Sequence, residues 1–487
     1  MTTIPKILHQ LWIGPKTPPT TLMNTWKEKH EADGFEYIRW TEDELIKRGF
    51  KSQLQNRINE MEEINGKADI LRWEILYEYG GVFVDADCYC IEPVTDLVKK
   101  YKGFAGYENE RVRGPGWAGK EYSDVLAHSH PLIATGTMAF PPKHDLPKKA
   151  IEWIKHNSVN VSRTGKRAWR TVGPGLLTRL FFSKKWDNIT ILPSYYFLPV
   201  HASGITYEGH CKIYAHQEWG STKDSYETMN NNLIPKQFQT PEDKVSILIS
   251  SYNTKAVYIK ECLNSIKHQM GNIFFEIVWI NDGSNDLNTK LLKKLLDDFK
   301  SSTRFTNVIY NENDGNKGIG FTLNKGVNLC NNEIIIKMDS DDIMVQNRIK
   351  KQFDYMVKHP KCAICGAQIL MFKNNINNVV NVSTHKNITW KEFKKYRPHW
   401  FINHPTVCYK KSKIIEAGNY SPDLKLMAED FELEARMLKT FGFVHNMPDK
   451  LLYYRLHEGQ VTHNGGEGGS NKWNKIRNSI IDNLINN

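Results

Sequence analysis

The feature that most constrains the fold is a regular alternation of short apolar strands and helical segments that starts at Val245. The strand patterns are VSILIS, FEIVWI, TNVIY and EIIIKM, and the helical patterns between them are KECLNSIKHQ, LNTKLLKKLLDDF and FTLNKGVNLC. This alternation predicts an α/β fold with a parallel sheet covered on both faces. Ligands of such sheets bind beyond the carboxyl ends of the strands. Asp282 and the pair Asp339 and Asp341 stand at such ends, so we expect the ligand there.

The first half of the chain carries a similar pair of acids. The segment KADILRWEILYEYGG predicts a helix that ends at Gly80, and the strand GVFV then leads into Asp85 and Asp87. Because side chains alternate along a strand, both carboxylates are expected on one face, where only a cation or a proton relieves their repulsion. Asp69 and Arg72, on the preceding helix, form either an exposed ion pair or part of the same site.

The chemistry that suits these pairs is the binding of a hard divalent cation. Mg²⁺ and Mn²⁺ prefer carboxylate oxygens and bind through one or two of them together with substrate phosphates. A loop or capping role is the ordinary alternative for Asp-x-Asp, but the position after a buried strand and the recurrence favour a metal. No GxxxxGK[ST] motif is present, which argues against a P-loop NTPase, and the Gly80-Gly81 spacing argues against a nucleotidyltransferase.

Length and composition predict the domain organisation. A chain of 487 residues is expected to form two or three domains, and the polar, Pro-containing stretch near residue 235 is typical of a linker. We therefore predict one domain over residues 1–232, a linker over 233–243, a second domain over 244–465 and a carboxyl-terminal tail over 466–487. The net charge of +11 is spread along the chain. It suits nucleotides or an anionic membrane surface, whereas nucleic-acid binding lacks a basic stripe with interleaved aromatics.

Location is predicted from what the sequence lacks. No apolar run reaches the roughly 20 residues of a membrane span, and the amino terminus has no signal-peptide pattern. The eight cysteines have no zinc-site spacing, and Cys362 and Cys365 lie in CAICGAQIL, which predicts a core strand. A cytoplasmic protein is expected, with peripheral association at a membrane surface left open.

The second half resembles glycosyltransferase family 2 over most of the stretch from Val245 to His463. The likeness rests on VSILISSYN, WINDGSND, NKGIGFTLNKG, KMDSDD, the segment from INHPTVCYKK to AEDFELEARM, and YYRLHEGQVTH, in that order. It implies that Asp339 and Asp341 hold a metal on the donor diphosphate, with Asp342 as a helix N-cap or a supporting group. The residues that it assigns to the nucleotide are Ser251, Tyr252, Asp282 and Lys317, for which core, turn or solvated positions are the alternatives.

The same resemblance implies an inverting reaction with Asp430 as general base. A carboxylate must take the proton of the acceptor hydroxyl as that group attacks the anomeric carbon. Glu429 would orient the acceptor or Asp430, whereas acids in a first helical turn can also simply favour the helix dipole. His404 and His457 are candidates for contact with acceptor or metal, or structural histidines.

The first half resembles glycosyltransferase family 32 in IPKILHQLWIG, ADILRWEILYEYGGVFVDAD, GPGLLT and YAHQEW. The likeness implies a retaining reaction in which the leaving diphosphate takes the acceptor proton. The residues that it implies are Asp85, Asp87 and His216 for the metal, Asp69 and Arg72 for the donor, and Trp12, otherwise a core residue, for stacking on the base. Members of that family often carry a further His where Gln217 stands.

Together the two resemblances imply two GT-A domains in tandem, each with a Rossmann-like, mainly parallel sheet. They imply a bifunctional transferase of hexosyl groups that uses Mn²⁺ or Mg²⁺ and nucleotide-sugar donors such as UDP-sugars, with a glycan or glycoconjugate acceptor. One alternative keeps a single domain catalytic and makes the other an acceptor-binding or scaffold module. A nucleotide-processing or nucleic-acid-binding protein is the alternative from another class.

Overall fold

The structure, a computed structural model, describes residues 3–110, 130–165, 167–231, 238, 240–424, 428–458 and 466–486. These residues form two compact units, the first drawn from 1–207 and 213–235 and the second from 208–212 and 236–487. Most of the predicted linker, residues 233–237 and 239, lies outside the described residues, as does His463. The domain bounds therefore stay a prediction, and the assignment of the short segment 208–212 to the second unit was not foreseen.

The first unit contains a mixed sheet and a separate two-stranded sheet. Its strands are β1 (Ile7–Leu11), β2 (Glu36–Trp40), β3 (Gly81–Val84), β4 (Cys88–Cys90), β5 (Phe104–Tyr107), β6 (Ile133–Phe140), β7 (Thr190–Leu192) and β8 (Ala215–Gln217). The main sheet has the order β2-β1-β3-β6-β5-β7, and β4 pairs with β8. Pairs β1–β2, β1–β3 and β5–β7 are parallel, whereas β6 runs antiparallel to both neighbours.

Helices and short turns connect these strands. The helices are α1 (Thr20–Ala32), α2 (Glu42–Lys47), α3 (Gln55–Glu60), α4 (Ile64–Tyr79), α5 (Thr95–Lys100), α6 (Asp145–His156), α7 (Val161–Thr164), α8 (Ala168–Thr171), α9 (Pro174–Phe182) and α10 (Gly220–Lys223), with 3₁₀ turns at Ser194–Tyr196 and Tyr226–Asn231. Helix α4 ends as predicted, because Gly80 has a φ of 65°. Gly81 follows with a φ of 91°, and a Cβ there would lie 2.5 Å from the Ile7 carbonyl oxygen, so only glycine lets β3 pair with β1.

The second unit is built on one large sheet. Its strands are β9 (Lys244–Ser251), β10 (Phe274–Asn281), β11 (Thr306–Glu312), β12 (Ile334–Asp339), β13 (Ile343–Met344), β14 (Ile364–Phe372), β15 (Val379–Val382), β16 (Ile388–Thr389), β17 (Cys408–Lys410) and β18 (Phe443–Arg455). The helices are α11 (Ala256–Lys267), α12 (Asp286–Ser301), α13 (Ile319–Leu329), α14 (Arg348–Lys358), α15 (Trp390–Tyr396), α16 (Lys411–Glu416), α17 (Glu429–Phe441) and α18 (Gly466–Asn486), with a 3₁₀ turn at His404–Thr406.

The parallel core of this sheet agrees with the sequence pattern. Strands β11, β10, β9 and β12 are neighbours and run parallel, so their carboxyl ends share one edge. Beyond β12 the order continues β17-β14-β18-β13, where β17 is antiparallel to both β12 and β14. That extension has no counterpart in the alternation, because its strands do not pair in chain order and β17 runs antiparallel to its neighbours.

Two further expectations can be compared with the structure. All eight cysteines are buried, and Cys365 lies in β14, as the apolar context of the CxxC sequence predicted. The segment from residue 466, predicted as a tail, instead forms α18, in which Ile481 is fully buried in the core of the second unit. Within the described ranges no helix is long and apolar enough to cross a membrane.

Candidate active sites

The two carboxylates of the first unit converge, although not by strand alternation. Strand β3 ends at Val84, and a turn separates Asp85 from β4. Gln217 Nε2 lies 2.7 Å from Asp87 Oδ1 and 3.4 Å from Asp85 Oδ2, so one amide reaches both acids. The backbone N–H of Gly220 donates to the other oxygen of Asp87 at 2.7 Å. The pair is therefore held by strand β8 and the start of α10.

Asp69 and Arg72 belong to this site and are not an exposed ion pair. Both are buried, and Arg72 Nη2 lies 2.5 Å from Asp85 Oδ1 while Nη1 lies 3.4 Å from Asp69 Oδ1. Arg72 Nη1 also donates to the Thr135 carbonyl. The alternative of an exposed i,i+3 ion pair was wrong, because α4 is buried around most of its circumference.

Glycine and small apolar side chains leave room beside these acids. A Cβ at Gly136 would lie 2.8 Å from Asp85 Oδ2, so the carboxylate occupies the space that a side chain would need. A small recess adjoins this point and is lined by Gly106, Ala134, Gly136, Thr137, Phe197, Leu198 and Gln217. The site therefore has an apolar recess next to its charged groups.

The electrostatics of the first pair favour a proton or a cation between its carboxylates. Burial, and then the charge of Asp85, raises the pKa of Asp87 to about 7. Burial also raises the pKa of Asp69 to about 6, although Arg72 opposes the shift. Within the described residues no three His, Cys, Asp or Glu side chains are arranged to hold a metal by themselves. A cation at Asp85 and Asp87 would thus need further oxygen ligands, which substrate phosphates supply in many sites.

His216 does not join the aspartates. Its Nε2 lies 3.2 Å from Glu218 Oε1, and because neighbours on a strand point to opposite faces, Gln217 reaches the pair instead. Trp12 is half-buried: its Nε1 donates to the Lys16 carbonyl at 2.7 Å and its ring meets Tyr226 edge-to-face at 5.2 Å. Stacking of Trp12 on a base stays a prediction.

The second pair lies at the carboxyl end of β12. Lys337, buried two residues before Asp339 on the same strand, bonds to Asp339 Oδ1. Nε2 of His457 lies 2.9 Å from Asp341 Oδ2, so His457 is brought to the predicted metal ligand. Burial, followed by the charge of Asp339, raises the pKa of Asp341, and His457 opposes the shift. Two nearby, half-buried carboxylates are thus held by Lys337 and His457, an arrangement that fits a cation.

Asp342 connects the loop of Asp339 and Asp341 to β18 and caps no helix. It is buried, its Oδ1 accepts the backbone N–H of Arg455 at 2.8 Å, and the next helix, α14, begins only at Arg348. The side chain of Arg455 donates from Nε to the Asp341 carbonyl at 2.7 Å. Arg455, which the sequence did not single out, therefore connects the acidic loop to β18 shortly before His457.

The predicted nucleotide residues have different environments. Asp282 is buried and accepts the backbone N–H groups of Lys317 and Gly318 at 2.9 and 3.0 Å, so its carboxylate organises the loop before α13. Ser251 Oγ accepts from Trp279 Nε1 at 2.8 Å inside the core. Tyr252 is 52% exposed, and Lys317 Nζ pairs with Asp314 at 2.8 Å. Of these four residues, Tyr252 and Lys317 have side chains at the surface.

Glu429 and Asp430 begin α17 in a cluster of acids, in which Glu429 is buried and Asp430 is half-buried. Burial raises the pKa of both carboxyls, that of Glu429 to about 8, and the charge of Asp430 adds to the shift at Glu429. Glu434, one turn further along, is buried and has a strongly raised pKa for the same reason. The charge of Lys337, which bonds to Asp339, lowers the pKa of all three acids. The sequence did not single out Lys337 or Glu434.

His404 lies in a chain of buried hydrogen bonds. Its Nε2 is 2.8 Å from Tyr420 Oη, which in turn is 2.8 Å from Tyr409 Oη. Burial, together with the nearby Lys337, holds the pKa of His404 well below its usual value, so the ring is neutral. Within the described residues His404 contacts neither aspartate of the second pair, which favours the structural alternative for this histidine.

Comparison with known proteins agrees with both halves of this description. Residues 246–414 match the model of Glycosyl transferase family 2, and residues 20–104 match that of the Glycosyltransferase sugar-binding region containing DXD motif. An uncharacterized glycosyltransferase of Haemophilus influenzae is 33% identical over 46% of this chain and 80% of its own length. The amylovoran biosynthesis glycosyltransferase AmsE of Erwinia amylovora is 29% identical over 48% of this chain and 82% of its own.

The name of a further relative states its donor and its acceptor. The UDP-Gal:alpha-D-GlcNAc-diphosphoundecaprenol beta-1,3-galactosyltransferase of Escherichia coli is 27% identical over 46% of this chain and 78% of its own length. The DXD region includes Asp85 and Asp87, and the family 2 region includes Asp282, Asp339 and Asp341, whereas the narrower likeness of the first half to family 32 stays a prediction. The chain therefore belongs to the glycosyltransferases, with a DXD sugar-binding region in its first unit and a family 2 region in its second.

Proposed function

We propose that the chain is a bifunctional, metal-dependent glycosyltransferase of GT-A architecture, in which each unit transfers a sugar from a nucleotide-sugar donor to a glycan or glycoconjugate acceptor. The observation that carries this proposal is the recurrence, in both units, of two largely covered aspartates two residues apart at the end of a core strand, held by neighbouring side chains. Two independent binding sites for a diphosphate and its cation account for that recurrence. The substrates named for the Escherichia coli relative support a UDP-sugar donor and a glycoconjugate acceptor.

In the second unit we assign the reaction to an inverting displacement. Asp339 and Asp341 would hold Mn²⁺ or Mg²⁺, which when bound offsets the charge of the leaving diphosphate. Asp430 takes the proton of the acceptor hydroxyl, and its raised pKa makes it a better base than an exposed aspartate. Glu429, with a pKa of about 8, is protonated at neutral pH and donates a hydrogen bond to the acceptor or to Asp430. His457 positions Asp341 through its 2.9 Å contact.

In the first unit we assign a retaining transfer. Asp85 and Asp87 would hold the cation, and Arg72, bound to both Asp69 and Asp85, adds positive charge beside the donor phosphates. Apart from Asp69, Asp85 and Asp87, the site described above offers no carboxylate as a base. That composition suits a reaction in which the leaving diphosphate takes the acceptor proton.

A single active unit is the second candidate, and one observation favours it. Both oxygens of Asp87 already accept hydrogen bonds from the protein, from Gln217 and Gly220. A carboxylate has about four lone-pair sites, so two remain for a cation. A carboxylate that accepts one hydrogen bond from the protein at each oxygen would also suit a purely structural site. In that case the first unit binds the acceptor and the second performs all transfer.

The test is a donor screen with Mn²⁺ that measures the nucleoside diphosphate released by the wild type, Asp85→Asn/Asp87→Asn and Asp339→Asn/Asp341→Asn. The matched control is Asp297→Asn/Asp298→Asn, which removes two adjacent exposed acids from α12. Loss of a different activity in each double variant supports two active units. Loss of all transfer in the second variant alone supports the single-unit candidate, and full activity in both overturns the assignment of the aspartates.

A further inference from the structure

Helix α15 and the residues after it form an exposed patch of basic and aromatic side chains. Tyr396 is 65% exposed and Trp400 is 53% exposed, although both are large amphipathic rings. The lysines that surround them, all exposed, are Lys391, Lys394 and Lys395. We call these five residues the α15 patch.

The lysines of the patch have no acidic partner in the described part of the chain. The acid on this helix, Glu392, is engaged in a capping box with Thr389, in which its carboxylate accepts the backbone N–H at 2.9 Å. The positive charge of the patch therefore remains available for an external anionic partner.

The patch is fixed in place by α18. Arg397 pairs with Asp482, and His399 Nε2 lies 2.9 Å from Asn478 Oδ1. The guanidinium of Arg477 lies 3.8 Å from the centre of the Trp400 ring. These three contacts follow one side of α18. They anchor the segment after α15, so Trp400 and Tyr396 are exposed on a surface that is held in place.

We propose that the α15 patch docks the second unit on an anionic lipid bilayer. Tyr and Trp favour the headgroup level of a membrane, because one part of the ring system is apolar and another is polar. Lysines next to them extend their stems along apolar surface and place their charges at the lipid phosphates. A bilayer suits the patch better than a nucleic-acid strand does. The lysines of the patch surround two aromatic rings on and just after one short helix, whereas proteins that bind single strands line a groove with positive charge.

The position of the patch gives it a role in the reaction. Arg477, which stacks on Trp400, also lowers the pKa of Asp430, so the patch and the proposed general base share one neighbour. A bilayer at the patch would bring a lipid-linked acceptor to the acceptor side of the second unit. That consequence rests on the proposed function, whereas binding to the bilayer does not.

The experiment is sedimentation of the full chain with phosphatidylcholine vesicles that contain or lack phosphatidylglycerol, without donor or acceptor. The variants are Lys394→Glu/Lys395→Glu and Tyr396→Ser/Trp400→Ser, and the control is Lys290→Glu/Lys294→Glu, the same charge change on exposed positions of α12. We expect binding that requires phosphatidylglycerol and weakens with salt. Each lysine near an anionic surface contributes about fivefold, so the first variant should lose at least about 25-fold in partition coefficient. The control should stay within about twofold of the wild type, because its lysines lie outside the patch.

Thermal unfolding of each variant separates loss of binding from loss of the fold, and the charge reversal changes only exposed side chains. The proposal is overturned by absence of vesicle binding, by equal binding to vesicles without phosphatidylglycerol, or by equal loss in the α12 control. A shift of single-stranded DNA that depends on the patch, with no vesicle binding, would assign the surface to nucleic acid. None of these readouts requires transfer, so failure here is distinct from failure of the proposed function.

Discussion

A single methyl group at Gly136 should displace the first aspartate pair. Gly136 lies in β6, where its carbonyl accepts the backbone N–H of Asp85 at 2.8 Å. In Gly136→Ala the new Cβ would stand 2.8 Å from Asp85 Oδ2, whereas ordinary contact begins at 3.4 Å. The carboxylate must therefore move by about 0.6 Å, away from a position that Arg72 fixes from the other side at 2.5 Å.

The size of the effect follows from that displacement. A misplacement of about 1 Å at a reacting centre can cost about 100-fold in rate. We therefore expect kcat/KM of the first unit to fall roughly tenfold, which corresponds to about 1.4 kcal/mol of transition-state stabilisation. The fold should survive, because the nearest atom belongs to a side chain and Gly136 has no left-handed backbone that would strain an alanine.

The assay is release of nucleoside diphosphate with the donor of the first unit, together with a titration of UDP in the presence of Mn²⁺. Gly103→Ala is the matched control, because its Cβ meets no atom closer than 3.1 Å and none of its three nearest neighbours is an acid. Activity of the second unit on the same polypeptide serves as an internal control. Unchanged activity and affinity in a folded Gly136→Ala protein would refute the argument that Asp85 must hold this position.

Three further outcomes are expected. Gln217→Leu removes the 2.7 Å donor to buried Asp87 and should lower the free energy of unfolding by about 1–3 kcal/mol in urea denaturation; an unchanged value would contradict this contact. Asp430→Asn should lower kcat of the second unit about 10²–10⁴-fold in steady-state kinetics, while UDP affinity by calorimetry stays the same if Asp430 acts only as the base. Because the pKa of Glu429 is raised from 4.5 to about 8, the folded state binds its proton more tightly than the unfolded state does. The free energy of unfolding should then fall as pH rises through that window, and Glu429→Gln should flatten the slope measured in a urea series.

Much of the second unit could be predicted because its parallel core follows a simple physical pattern. Four apolar strands alternate with helices, and β9 to β12 form as expected, with Asp282 and Asp339 at the shared edge. Helix α18 and the strands that extend the sheet beyond β12, in the order β17-β14-β18-β13, were not predictable in this way. Their partners are distant in sequence, and only the tertiary fold decides which edge they extend.

Individual site residues were missed for reasons that local geometry explains. His216 was assigned to the metal from the resemblance to family 32, in which a further His often stands at position 217. Neighbouring residues of a strand point to opposite faces, and here Gln217 is the one that reaches Asp87. Lys337 could have been found in the same way, since it stands two residues before Asp339 on one strand. Glu434 could not, because its burial beside Asp430 depends on how α17 packs.

The two aspartates of the first pair should respond differently to loss of charge. Asp85 is paired with Arg72, whereas the donors to Asp87 among the described residues are neutral N–H groups, and burial and Asp85 raise its pKa to about 7. In the absence of metal, Asp85→Asn leaves a buried guanidinium with a weaker partner and should lower the free energy of unfolding. Asp87→Asn removes a buried charge that lacks a cation and should raise it at pH 8, by on the order of 1 kcal/mol or more.

If Asp87 holds the cation, added Mn²⁺ and UDP should make the wild type more stable than Asp87→Asn. The wild type should then gain stability, whereas Asp87→Asn should gain little, because a ligand stabilises only the fold that binds it. Urea denaturation of the wild type and of Asp87→Asn, each with and without Mn²⁺ and UDP, measures the four free energies of unfolding. Equal stabilisation of wild type and Asp87→Asn by Mn²⁺ and UDP would mean that Asp87 serves the fold and not the donor site. The pair would then be a structural device in the first unit, and only the second unit would need its aspartates for transfer.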